Sequence, residues 1–270
     1  MPFDAKVCRA IAATLAMLLA ACDDPKPATA TAPSASAPPP TTPKVDEPSA
    51  AVSAAPSASA AARVVKRKDP ASCPKDGPVV FEDATLEAAV RRQLQKPAGP
   101  IARGDLKKVK TLDLSQATVN DALDPCIFVH LTGLKGLYLA PGDLDDLSPI
   151  KGATALNSLR VSATKVSDLS PLSAMKALDR LDVGRTPVRD LKPLASLTNL
   201  TELQLDDTEI SDISPLAHLE KLEVLLLKRT RVNDISALKG LRKLKHLYIE
   251  GSLVQDTSPI VGIAGLKVHQ

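Results

Sequence analysis

An α/β solenoid, in which each short coil adds one strand to a single parallel sheet, is the fold class that this sequence predicts. From Leu134 the chain repeats with a period of 22 residues, with copies starting at Leu134, Leu156, Leu178, Leu200, Leu222 and Leu244. At offsets 0, 3, 5, 10, 13, 16 and 19 of these copies, 41 of 42 positions are apolar, Thr257 being the exception. A chain that is 44% hydrophobic overall does not reach that density by chance. The spacing supplies the second observation. Apolar residues at offsets 3 and 5, flanked by polar ones at 2, 4 and 6, have the period of a strand. The return must close within about 15 residues, whereas a strand–helix–strand crossover takes about 30, so a full helix does not fit and the return is a turn with a short 3₁₀ piece. Each copy alone leaves one apolar side bare, so the copies stack and bury a continuous core. This is the pattern of a leucine-rich-repeat solenoid, with its curved parallel sheet on the concave face. An irregular copy from Val109, carrying Leu112, Leu114 and Val119 and about three residues longer, makes about seven repeats over residues 109–270.

Two further columns read as coil-building chemistry. Offset 12 is Asp in every copy (Asp121, Asp146, Asp168, Asp190, Asp212, Asp234, Asp256). Pro stands three residues later in Pro149, Pro171, Pro193, Pro215 and Pro259. Asp accepts backbone N–H bonds at the start of a helical turn, and Pro is tolerated where no donor is needed. A metal ladder is the sharper alternative, but one carboxylate per coil lacks the other oxygen ligands that a hard cation takes. Thr164, Thr186, Thr208 and Thr230, with Ser252 last, are placed to bond backbone groups inside the bend.

The N-terminal quarter has different composition. Residues 1–21 carry Lys6 and Arg9 and then an apolar run from Ala10 to Ala21, too short for the roughly 20 residues of a membrane span and suited to a secretory signal. The run ends Leu19-Ala20-Ala21-Cys22, which resembles the lipobox of bacterial lipoproteins and implies an acylated Cys22 as the mature N-terminus. An ordinary signal peptide, cut at an A-x-A-like site, is the alternative. Residues 22–72 are dominated by Ala, Pro, Ser and Thr and cannot bury enough surface to offset their ordering entropy, so they read as a disordered tether or glycosylated stalk. Arg63, Lys66, Arg67 and Lys68 close it, either as a solubilising run or as a contact for anionic lipid or polymer.

Residues 73–108 are predicted to form a helical cap, with Leu86, Ala89, Val90 and Leu94 on one helical face. The T-x-[VI]-x-D-[LI]-x-P-L core of the repeat, preceded by such a cap, resembles the internalin-type bacterial leucine-rich repeats over about residues 79–268. That resemblance implies a curved solenoid binding proteins or other macromolecules on its concave sheet. No immunoglobulin-like domain or cell-wall sorting signal follows the repeats, and the expected anchor is N-terminal lipid, so the host-invasion role of the family is not carried over. Cys73 and Cys126 are the only cysteines outside the signal and the lipidation site. An exported compartment permits their disulfide, which would tie the start of the cap to the enlarged loop at Asp124-Pro125-Cys126. Free thiols or a metal pair are the other readings.

Several function classes are poorly supported. With 2% aromatic residues, no Trp and a net charge of +3, the chain has neither the basic surface nor the base-stacking platform of a nucleic-acid binder. His130, His218, His246 and His269 have no partner at ligand spacing. No nucleophile elbow, phosphate-binding loop or zinc-protease motif occurs, so no enzyme, metal or cofactor is expected. Glu202, Asp206 and Asp207 read as a charged surface rather than a catalytic pair. Specificity is expected on the concave strand face, at Tyr138, Arg160, Arg180, Asp182, Glu202, Gln204, Val224, Leu226, Lys228, His246 and Tyr248. Tyr and Arg are favoured interface anchors. Val224 and Leu226 are apolar where the coil needs polar residues. The expected activity is therefore recognition of a protein partner by a lipid-anchored protein of the bacterial envelope. The alternatives are a scaffold lipoprotein or a surface-polysaccharide binder, the last disfavoured by the scarcity of rings for sugar stacking. The final copy ends in a stub, Leu266 and Val268, so self-association or fraying over residues 244–270 is also expected.

Overall fold

The computed structural model describes residues 68–74, 76–117 and 121–270. The signal, Cys22 and most of the tether lie outside those residues, as does Val119.

Eight strands form one parallel sheet in strict chain order. They are β1 (Thr111–Leu114), β2 (Gly136–Leu139), β3 (Ser158–Arg160), β4 (Arg180–Asp182), β5 (Glu202–Gln204), β6 (Val224–Leu226), β7 (His246–Tyr248) and β8 (Lys267–His269). The register follows the repeat, with Leu159 beside Leu181, Leu181 beside Leu203, and Leu203 beside Leu225. The ladder extends past the strands. The Asn157 carbonyl accepts from the amides of Asp179 and Arg180 at 2.7 and 3.0 Å, and Asp179 does the same for Thr201 and Glu202. The offset-3 leucines are essentially fully buried, and with the other apolar columns they make one continuous core from the cap to Ile263.

The returns are 3₁₀ turns, as the length of the coil requires: Ser148–Ile150, Ser170–Leu172, Lys192–Leu194, Ser214–His218, Ser236–Gly240 and Ser258–Ile260. Each is set by its aspartate. Asp146, Asp168, Asp190, Asp212, Asp234 and Asp256 accept the amide two residues on, at 2.7–2.8 Å. The buried threonine hydroxyls of Thr164, Thr186, Thr208 and Thr230 donate to the carbonyl three residues back at 2.6–2.8 Å.

One column departs from expectation. In the enlarged first coil the capping aspartate is Asp124 and not Asp121. Asp124 accepts the Cys126 amide at 2.8 Å and opens a short helix, α3 (Pro125–Phe128). The added residues displace the return, so the capping function moves to the carboxylate that immediately precedes Pro125.

Between strand and threonine, the chain turns through the left-handed region. Ala163, Arg185, Asp207 and Arg229 have φ of 52–56°, and Gly251 has φ 70°. The amide of each of the first four bonds to the next coil, with Ala163 donating to the Gly184 carbonyl at 2.8 Å. The corresponding residue of the second coil is Pro141, whose ring forbids positive φ, and there the bond passes to Gly142, donating to the Ala163 carbonyl at 3.1 Å. A non-glycine residue in this region costs about 1–2 kcal/mol, of which glycine returns part as unfolded-chain entropy. Ala163→Gly is therefore expected to stabilise the chain by about 0.5–1 kcal/mol in chemical denaturation. A destabilised variant would show that the bend is not strained.

The cap is built from α1 (Ala84–Leu94) and α2 (Arg103–Leu106). Asp83 caps α1 by accepting the amides of Thr85 and Leu86. Leu86 and Val90 are buried, Ala89 and Leu94 are partly buried, and this face packs with Ile101, Leu106, Val109 and Leu112 at the end of the sheet. Cys73 and Cys126 are bonded, with Cα atoms 5.2 Å apart. Lys68 adds ion pairs to Glu82 at 2.9 Å and Asp124 at 3.1 Å, and the bond to Glu82 holds its ammonium above the ordinary lysine range.

Candidate functional site: the strand face

Side chains at offsets 2, 4 and 6 stand on the face of the sheet turned from the core. There the expected residues fall into two groups. Tyr138, Arg160, Arg180, Asp182, Glu202 and Gln204 line one shallow groove of about 320 Å³ across β2 to β5. A second groove, of about 370 Å³, shares Tyr138 and Arg180 and adds Asp179 and Gly136. The charges here are partly satisfied within the face. The Arg160 guanidinium lies 3.1 Å from Asp182, and the Gln204 amide donates to Glu202 at 2.6 Å. Arg180 is held more loosely, 3.7 Å from Asp179, with its side chain 66% exposed, so its guanidinium is the group most available to a ligand in this groove.

The second group covers β6 to β8. Val224 and Leu226 are half-buried. Beside them Tyr248 stacks on His269 with ring centroids 4.1 Å apart and planes within 8°. His246 stands 5.9 Å from His269. From the preceding coil the Lys228 ammonium lies over the Tyr248 ring at 4.7 Å and pairs with Glu250 at 3.3 Å. The nearby carboxylates divide by environment. Burial pushes Asp206 above the ordinary carboxyl range, although it accepts the Lys228 amide at 2.8 Å. The hydrogen-bonded Arg229 guanidinium lowers Asp207. Glu202, Asp206 and Asp207 thus each have a separate hydrogen-bond partner, in Gln204, Lys228 and Arg229. Among the described residues, no cluster of His, Cys, Asp or Glu could hold a metal ion.

No protein-family model matches the chain, and no curated protein matches it significantly. Solved structures do. An internalin, inlF, from Listeria monocytogenes superposes with a TM-score of 0.64 at 28% identity, over 70% of this chain and 56% of its own. Internalin C2 from the same organism gives a TM-score of 0.62 at 28% identity, over 70% of this chain and 93% of that one. The solenoid is similar to those of internalins. A leucine-rich-repeat protein of Leptospira interrogans shares the fold, with a TM-score of 0.51 at 16% identity over 63% of this chain and 51% of its own. The chain therefore spans a little over half of the inlF structure and nearly all of the internalin C2 structure.

Within this sheet, one residue of the second group was not expected: His269. Counting by 22 puts it in a core column. The register instead pairs His246 with Lys267 and Tyr248 with His269, a step of 21 residues, against the step of 22 from Val224 to His246. A single missing residue shifts the alternation by one place and brings His269 onto the strand face. Val268 takes the inward position and remains 37% exposed.

Proposed function

We propose that this chain is a lipid-anchored protein of the bacterial envelope that binds a protein partner on its strand face. The carrying observation is the apolar and ring-rich group on β6 to β8. Val224, Leu226 and Tyr248 occupy positions where the coil needs only polar residues, next to a charged groove with an exposed Arg180. Rings and arginine flanked by hydrogen-bonding groups are what protein interfaces use as anchors. Tyr248 is covered by His269 from one neighbouring coil and by Lys228 from the other, which leaves little flat ring surface for a sugar and favours a protein over a polysaccharide. The lipid anchor rests on Leu19-Ala20-Ala21-Cys22 alone.

The test is a pull-down from envelope extract with the full-length protein. Arg180→Glu and Leu226→Asp are each expected to weaken capture at least about tenfold, the effect of losing roughly 1.4 kcal/mol of binding, with the thermal midpoint unchanged. Equal capture by both variants moves the site off this face. Cys22→Ala is expected to release the protein from the membrane fraction into the soluble one, and retention in the membrane fraction would refute the anchor.

A further inference from the structure

On the return side of the first coils, away from every strand, lies a groove of about 750 Å³. Its lining is mostly apolar: Pro70, Leu123, Pro125, Val129 and Pro149. Val129 is 52% exposed, one of five large hydrophobic side chains among the described residues that stand exposed. Nothing in the coil architecture needs an apolar trough at this place, since the core beneath is already closed by Ile127, Leu147 and Ile150.

We propose that this groove receives the chain's own residues 63–67, RVVKR, with Val64 and Val65 against Val129 and the prolines. Three observations select that occupant. The first is position: Lys68, Asp69 and Pro70 form part of the groove wall, so the residues just upstream leave from it directly. Val65 is three residues from Lys68, a reach of about 10 Å. The second is composition. Between residues 23 and 67, Val64-Val65 is the one adjacent pair of large aliphatic residues in a stretch dominated by Ala, Pro, Ser and Thr. The third is charge. Asp69, Asp145 and Asp146 stand on the groove, and Arg63, Lys66 and Arg67 flank the valine pair. Of the two lysines in the lining, Lys68 is engaged by Glu82 and Asp124.

Docking of this segment turns the basic run at the end of the tether into a structural latch.

The chain has no tryptophan, so Val65→Trp in the full-length protein gives a single reporter. Its emission is expected to be blue-shifted, and its acrylamide quenching severalfold weaker, relative to Val52→Trp in the tether. Adding Val129→Asp is expected to abolish both differences. In the unsubstituted protein, methyl nuclear Overhauser contacts are expected between Val64 or Val65 and Val129. A Val65→Trp reporter as exposed as Val52→Trp overturns the proposal. So does a protected reporter that ignores Val129→Asp, or a wild-type spectrum without those methyl contacts, since the valine pair would then lie elsewhere or be covered by another segment.

Discussion

Replacing both Cys73 and Cys126 with serine is expected to destabilise the protein by about 4 kcal/mol. The bridge closes a loop with a sequence separation of 53, and restricting a loop of that length in the unfolded chain accounts for roughly that amount. The loop contains α1, α2, β1 and the start of α3, so the bridge ties the first turn of the described chain to the far side of the first coil. Its surroundings are set for it. Asp69 and Asp124 accept the Ala71 and Cys126 amides at 2.8 Å, one beside each cysteine, and Lys68 joins the two segments through Glu82 and Asp124. These contacts survive the substitution, so the folded state should change little and the loss should appear as a lower midpoint in urea. Because coils contact only their neighbours, hydrogen exchange should rise in the cap and first coil and leave β5 to β7 unchanged. Two titratable thiols in the folded protein, or a midpoint unchanged by the double substitution, would show that the bridge does not contribute.

The repeat made most of this fold readable. A 22-residue period with leucine at offsets 3 and 5 dictates both the strand and its register, because any other pairing would turn a leucine column to water. Asp146 to Asp256 were readable as caps because a carboxylate two residues ahead of a turn has one good use, and the structure gives each of them that bond. Legibility failed where the period changed. Three added residues in the first coil separated Asp121 from the turn it would have capped, and Asp124 was not distinguishable from it by column. One residue missing before β8 put His269 on the strand face and out of a core column. The left-handed column was hidden for another reason. Ala163, Arg185, Asp207 and Arg229 share no side-chain chemistry, and only Gly251 in that column has the residue type that signals positive φ. On the strand face, sequence placed the candidate residues on one surface but could not show that Arg160 pairs closely with Asp182 while Arg180 is held more loosely and is more exposed. That difference depends on side-chain directions, which alternation does not specify.

Val90→Asp is expected to cost about 4 kcal/mol or more, because it places a carboxylate with no partner where no solvent reaches. Val90 has 0% exposure and, with Leu86, presses α1 onto β1 and the Ile101–Leu112 part of the core. Without α1 the β1 end of the sheet would show Leu112 and Leu114 to water together with an unpaired strand edge, which is a template for association with another chain. The variant should therefore lose the α1 amide protection first and form concentration-dependent oligomers on size exclusion. A point substitution is the sharper test than removing the cap, since deletion would also remove Cys73 and merge two effects. Arg92→Asp, on the exposed side of the same helix, is the matched control and should change stability by no more than about 0.5 kcal/mol. If Val90→Asp stays as stable and as monomeric as Arg92→Asp, then α1 does not seal the solenoid, and the first coil must be closed by the disulfide-linked α3 segment alone.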